Sequence, residues 1–196
     1  MKTLLTVGLG MLLLFMESVS AVAGVPGDQV RQTTDKLLAI LEDPQLKGES
    51  KKSERRHKLK EVLYERFDFT EMAKRSLGSE WRRRSPDEQK EFVKLFTDLL
   101  ERAYLDKIES YNGENFQYSR EREDDNNYAQ VDTKLVDKKG QEFAISYRLY
   151  NTKGDWKVYD VVIENVSIVN NYRAQFTRVL ASSSYEELVN RMKGKL

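Results

Sequence analysis

The chain has 196 residues, 33 Lys and Arg against 32 Asp and Glu, one histidine and no cysteine. A formal charge of +1 on a chain that is one-third charged argues against wholesale nucleic-acid binding. The missing cysteines exclude a disulfide framework, thiolate metal sites and lipid attachment at a cleavage-site cysteine.

Met1-Lys2 is followed by an apolar run from Leu4 to Met16 and then by Ala21-Val22-Ala23. A basic start, a short apolar core and an A-x-A site read as a cleaved secretory signal over residues 1–23. The competing reading, a membrane anchor, needs about 20 apolar residues, and Glu17 stops the run short. Residues 24–196 are then one exported domain, and the lack of cysteine leans towards a Gram-negative periplasm.

From Asp28 to Glu42, Val30, Leu37, Leu38 and Leu41 fall on one side of a helix that ends before Asp43-Pro44. From Lys51 to Arg66 the pattern is again helical, with Leu59, Val62 and Leu63 as its stripe. Its basic cluster Lys51, Lys52, Arg55, Arg56, Lys58 and Lys60 suits either a solvated face or contact with anionic headgroups or a partner. Asp68 and Glu71 have capping-box spacing, and Gly78 stands where the short helix between them would close. Trp81 precedes Arg82, Arg83 and Arg84, which read as an exposed rim or as a phosphate clamp.

Ser85-Pro86-Asp87-Glu88 is a strong helix start. The helix it opens is the longest, with Phe92, Leu95, Phe96, Leu99, Leu100, Ala103, Tyr104, Ile108 and Tyr111 at helical spacing up to Asn112-Gly113. So wide a stripe is expected to pack across a whole sheet. Beyond Asn115 the period falls to two, which predicts strands over Phe116–Arg120, Tyr128–Val136 and Glu142–Tyr150.

Gly154–Phe176 then passes from a strand (Trp156, Val158, Tyr159, Val161, Val162, Ile163) into a helix with Val169, Tyr172, Phe176 and Val179 on one face. With Lys153-Gly154 as the hairpin turn, Leu149 is expected to face Val158, and Ile145 to face Val162. A last charged helix spans Ser182–Lys195. The fold class is α+β: a curved antiparallel sheet of about four strands packed on a long helix, with added N-terminal and C-terminal helices.

No catalytic constellation is apparent. His57 is the only histidine, so no zinc site is expected, and there is neither a nucleophile elbow nor a glycine-rich phosphate loop. Asp160, the one acid in an apolar strand, is a general-base candidate, or it accepts a hydrogen bond from Tyr147 or pairs with Arg148.

Three blocks in order, FDFTEMAKRSLGSEW (67–81), SPDEQKEFVKLFTDLLERAYLDKIESY (85–111) and GDWKVYDVVIENVSIVNNYRAQF (154–176), resemble the MlaC, or toluene-tolerance auxiliary, family. Asn165 departs from the glycine usual there, and Arg82–Arg84 is more basic than usual. The resemblance implies a periplasmic phospholipid carrier with a nuclear-transport-factor-like cone fold. Such a carrier works between an inner-membrane ABC transporter complex and an outer-membrane lipoprotein complex. The resemblance further implies a monomer without stable membrane insertion, with phospholipid as cargo, no other cofactor, no metal and no enzymatic role. On this fold the expected acyl-chain contacts are Phe69, Met72, Leu77, Phe96, Leu100, Tyr104, Ile145, Tyr147, Val158, Val162, Val169 and Tyr172. A periplasmic chaperone or adaptor holding apolar polypeptide is the alternative, and a cone-fold enzyme using Asp160 a third reading.

Overall fold

The computed structural model describes residues 25–124 and 127–194; the expected leader over 1–23 lies outside the described residues. Two helices come first, α1 (Pro26–Glu42) and α2 (Lys52–Arg66). Asp43 ends α1 with an extended backbone and caps the following 3₁₀ turn, accepting the Gln45 N–H at 2.8 Å. α3 (Phe69–Leu77) is capped by Asp68, whose carboxylate accepts the Glu71 N–H at 2.8 Å. Gly78 closes it at φ +67°, a conformation open to glycine, where a Cβ would stand 3.2 Å from the Arg173 guanidine.

α4 (Pro86–Glu109) opens with a reciprocal capping box, Ser85 Oγ accepting from Glu88 N–H and the Glu88 carboxylate from Ser85 N–H at 2.7 Å. The strands β1 (Asn115–Glu123), β2 (Tyr128–Val136), β3 (Glu142–Thr152) and β4 (Asp155–Ile163), with the two-residue β5 (Val166–Ser167), pair antiparallel in chain order. The sheet thus has four long strands, about the number expected, with a short fifth at its edge. α5 (Ile168–Leu180) and α6 (Tyr185–Lys193) return over α3 and α4, capped by Ser167 and Ser184.

The β3–β4 turn is the two-residue type expected, with Lys153 at φ 59° and Gly154 at φ 94°. Leu149 faces Val158 as expected, but Ile145 faces Ile163, not Val162. The cause is a bulge: Arg148 pairs with Asp160 and Leu149 with Val158, so Tyr159 has no opposite number. One extra residue reverses which side chains face inward beyond it. Val161 and Ile163 therefore take the inner face, and Val162 goes to the outer one beside Ser146 and Ser167. The β4–β5 turn follows at Glu164 (φ 49°) and Asn165 (φ 65°), so the asparagine holds the left-handed conformation.

α4 does two jobs along its length. Its first half packs Phe92 and Phe96 against the helical layer, with Phe92 edge-on to Phe176 at 5.6 Å and Phe96 edge-on to Tyr172 at 5.5 Å. Its second half carries Leu100, Tyr104 and Ile108, which face Phe143, Ile145 and Tyr147 of β3 across a void. The expected continuous contact between helix and sheet exists only in part.

Two arginines of α2, Arg55 and Arg56, are pinned to α4. Arg55 and Arg56 share the Glu109 carboxylate at 2.7 and 2.6 Å, Arg56 also meets Asp106, and Lys60 pairs with Glu101 at 2.6 Å. Those three cations hold two helices together, while Lys51, Lys52 and Lys58 stay on the exposed face, paired locally with Glu49 and Glu54. In the second cluster Arg83 pairs with Glu80, while Arg84 lies over the Tyr185 ring at 4.5 Å.

Candidate functional site

The void between α1, α4 and the sheet is a cavity of about 460 Å³. Its walls are Leu37, Leu38 and Leu41 of α1, Leu63 of α2, Phe69 and Met72 of α3, Leu100 to Ile108 of α4, and inward-facing residues of all four long strands. Many of these apolar side chains, including Leu38, Leu63, Ile108, Phe116, Leu135, Phe143 and Ile145, are only half-buried although they point inward. Their remaining exposed area faces the void. In a close-packed core such side chains would be covered by neighbours.

Most of the buried polar groups in the wall are already partnered. Thr33 and Thr34 donate their hydroxyls back to the Gln29 and Val30 carbonyls at 2.9 and 3.0 Å, which leaves their methyl groups to the surroundings. Arg66 is held by Gln29 Oε1 at 2.6 Å and Asp155 at 2.8 Å, and also donates to the Trp156 carbonyl. Glu101 accepts from Lys60 and Tyr64, each at 2.6 Å. Burial pushes the phenols of Tyr104 and Tyr147 up from their ordinary value, so both stay neutral at physiological pH. The walls thus offer apolar surface with little unmet demand for hydrogen bonds.

Exposure changes along the cavity. Val30, Met72, Leu100, Val158, Val161 and Ile168 close one end and are buried. Of the residues on the wall, Lys107 and Ser110 alone are exposed, and both stand at the C-terminal end of α4. The cavity opens there.

Seven of the twelve expected contact residues stand on this wall: Phe69, Met72, Leu100, Tyr104, Ile145, Tyr147 and Val158. Leu77, Phe96 and Val169 do not, because they are buried in the helical core. Tyr172 packs on Phe96 and Phe176 in the same layer. Val162 is turned outward by the bulge at Tyr159. Sequence reasoning missed the α1 leucines and the inner residues Phe116, Leu135, Phe143, Ile108 and Ile163. Phe143 shares the alternating face of Ile145 and Tyr147, which was signal enough to include it.

Asp160 stands off the cavity at the joint between β4 and α5. It accepts from Ser167 Oγ at 2.6 Å, Val169 N–H at 3.1 Å and Arg148 at 3.1 Å. Arg148 is the partner, not Tyr147, which lies on the other face of β3. The first two contacts tie the start of α5 to the sheet, and the third joins β3 to β4. Among the described residues no group of three His, Asp or Glu is placed to hold a metal ion, and no helix is long and apolar enough to cross a membrane.

A family model, MlaC protein, matches residues 31–194, most of the chain. The chain belongs to the MlaC family. Among its MlaC-family relatives is the "Intermembrane phospholipid transport system binding protein MlaC" of Haemophilus influenzae, 24% identical over 84% of this chain and 78% of the relative. Another is the "Toluene tolerance protein ttg2D" of Pseudomonas putida, 26% identical over 90% of this chain and 82% of the relative. The fold is shared with a phospholipid-binding protein from Ralstonia solanacearum solved in complex with a phospholipid. The TM-score is 0.76 at 22% identity, over 88% of this chain and 97% of that one.

Proposed function

We propose that this MlaC-family chain is a periplasmic phospholipid carrier that holds acyl chains in the cavity and moves lipid between an inner-membrane ABC transporter complex and an outer-membrane lipoprotein complex. The observation that carries the reading is the cavity itself, lined by half-buried apolar side chains and open at one end. A relative named for intermembrane phospholipid transport supports it. In this reading residues 1–23 are removed on export and 24–196 act as a single domain, a monomer without membrane insertion.

Magnitudes explain why such a carrier is useful. Two acyl chains hold roughly 30 methylenes at about 0.8 kcal/mol each, so passing through water unaided costs on the order of 20 kcal/mol. A dry slot whose walls resemble the bilayer interior removes most of that barrier and makes exchange nearly neutral. Direction must then come from elsewhere, such as ATP hydrolysis in a partner. In this reading the tails rest against Phe69, Met72, Leu100, Tyr104, Ile145, Tyr147 and Val158, all of which line the cavity.

A chaperone holding apolar polypeptide would need its apolar surface on the outside. Among the described residues the large exposed hydrophobics are instead scattered at Val25, Tyr64, Tyr128 and Val166. The test is transfer of a labelled phospholipid between donor and acceptor vesicles. The carrier reading predicts transfer that rises in proportion to added protein. Suppression of client aggregation without transfer would favour the chaperone instead.

A further inference from the structure

Resting on the carrier reading, we propose that Lys107 binds the phosphodiester of the cargo lipid, and that the headgroup therefore sits at the C-terminal end of α4. Two cations reach the cavity wall, Arg66 and Lys107. Arg66 is consumed by Gln29, Asp155 and the Trp156 carbonyl. Lys107 forms no ion pair among the described residues; its ammonium lies 5.1 Å from the centre of the Tyr104 ring, itself part of the wall. Lys107 is also one of the two exposed wall residues that mark the opening.

The carboxylates nearby are occupied. Asp106 and Glu109 are paired with Arg56, Glu109 also with Arg55, and Glu101 with Lys60. Glu114, across the opening, accepts the Asn112 N–H at 2.6 Å. From the β2–β3 turn Lys138 donates to Asn112 Oδ1 at 3.1 Å, which brings a second cation to the rim. An ammonium on a flexible stem over an aromatic wall, at the wet end of an apolar slot, suits a phosphodiester whose tails fill the slot. The shared chemistry is an anionic phosphate, and the tails distinguish a lipid from a free ion.

The test measures binding of lysophosphatidylglycerol and of monoacylglycerol, equal in chain length, to delipidated mature protein. Lys107→Ala is expected to weaken the phosphate-bearing ligand about five-fold, leave the neutral one unchanged, and lose that difference in high salt. Lys107→Arg is expected to restore binding. Equal weakening of both ligands would mean a packing role, and no weakening of either would mean no contact; each overturns the proposal. Excess inorganic phosphate should not displace the lysolipid, and displacement would assign the site to a free anion instead. If the wild-type protein binds neither ligand, the carrier reading itself has failed.

Discussion

Ile145→Trp separates a hollow interior from a solid one by the sign of its effect. In a filled core, inserting a larger side chain costs typically 1–3 kcal/mol, about the range seen for overpacking. Ile145 is half-buried and faces a void of about 460 Å³, so the indole has room to enter. Covering roughly 80 Å² more apolar area at about 25 cal/mol per Å² gains on the order of 2 kcal/mol in the delipidated protein. In a chain of this size that raises Tm by roughly 4–8 °C, at about 2–4 °C per kcal/mol. The same indole takes space from cargo. Displacing about four methylenes at ~0.8 kcal/mol each weakens lipid binding by roughly 3 kcal/mol, or about 100-fold. Thermal unfolding of delipidated protein and lipid titration read both effects. A variant that melts lower while binding lipid normally would refute the hollow-interior argument.

The bulge at Tyr159 predicts a contrast between neighbours: Ile163→Asp should abolish lipid binding and Val162→Asp should leave it intact, as measured by lipid recovered from the purified variants. Removing the buried acceptor at the β4–α5 joint, Asp160→Ala, should cost about 1–3 kcal/mol in urea unfolding without changing which lipids bind. Burial alone would raise the Asp155 carboxyl, but Lys157 and Arg66 hold it below the usual carboxylate range. A depressed folded pKa gives stability that is present above the unfolded value of about 4 and is lost as pH falls through the folded one. Asp155→Asn should accordingly flatten the acid limb of a stability–pH profile below about pH 4 while leaving its slope between pH 5 and 8 unchanged.

What could be read from the residues was whatever local chemistry decides. Ser85 and Glu88 start α4 because a hydroxyl and a carboxylate at that spacing satisfy two orphan N–H groups, and no distant residue is needed. Lys153-Gly154 and Glu164-Asn165 make tight turns for equally local reasons. The bulge at Tyr159 was not legible, since an unpaired residue depends on both strands and on α5 drawing Asp160 outward. For that reason Val162 was placed on the wrong face.

The long stripe of α4 posed a similar difficulty. Phe96 and Leu100 are one turn apart and equally apolar, yet one fills the helical core and the other faces the void. Whether an apolar face meets a neighbour or an empty space depends on how far apart the packed elements sit, and periodicity carries no measure of that. Arg55 and Arg56 illustrate the same limit: their partners, Asp106 and Glu109, lie some fifty residues away, so they read as part of a surface cluster.

Native mass spectrometry of the protein purified from its own compartment tests the central claim most directly. The account predicts a folded monomer whose mass exceeds that of the mature chain by a phospholipid, released on collisional activation. A folded protein that repeatedly flies at the bare polypeptide mass, and stays bare after incubation with phospholipid vesicles, would contradict it.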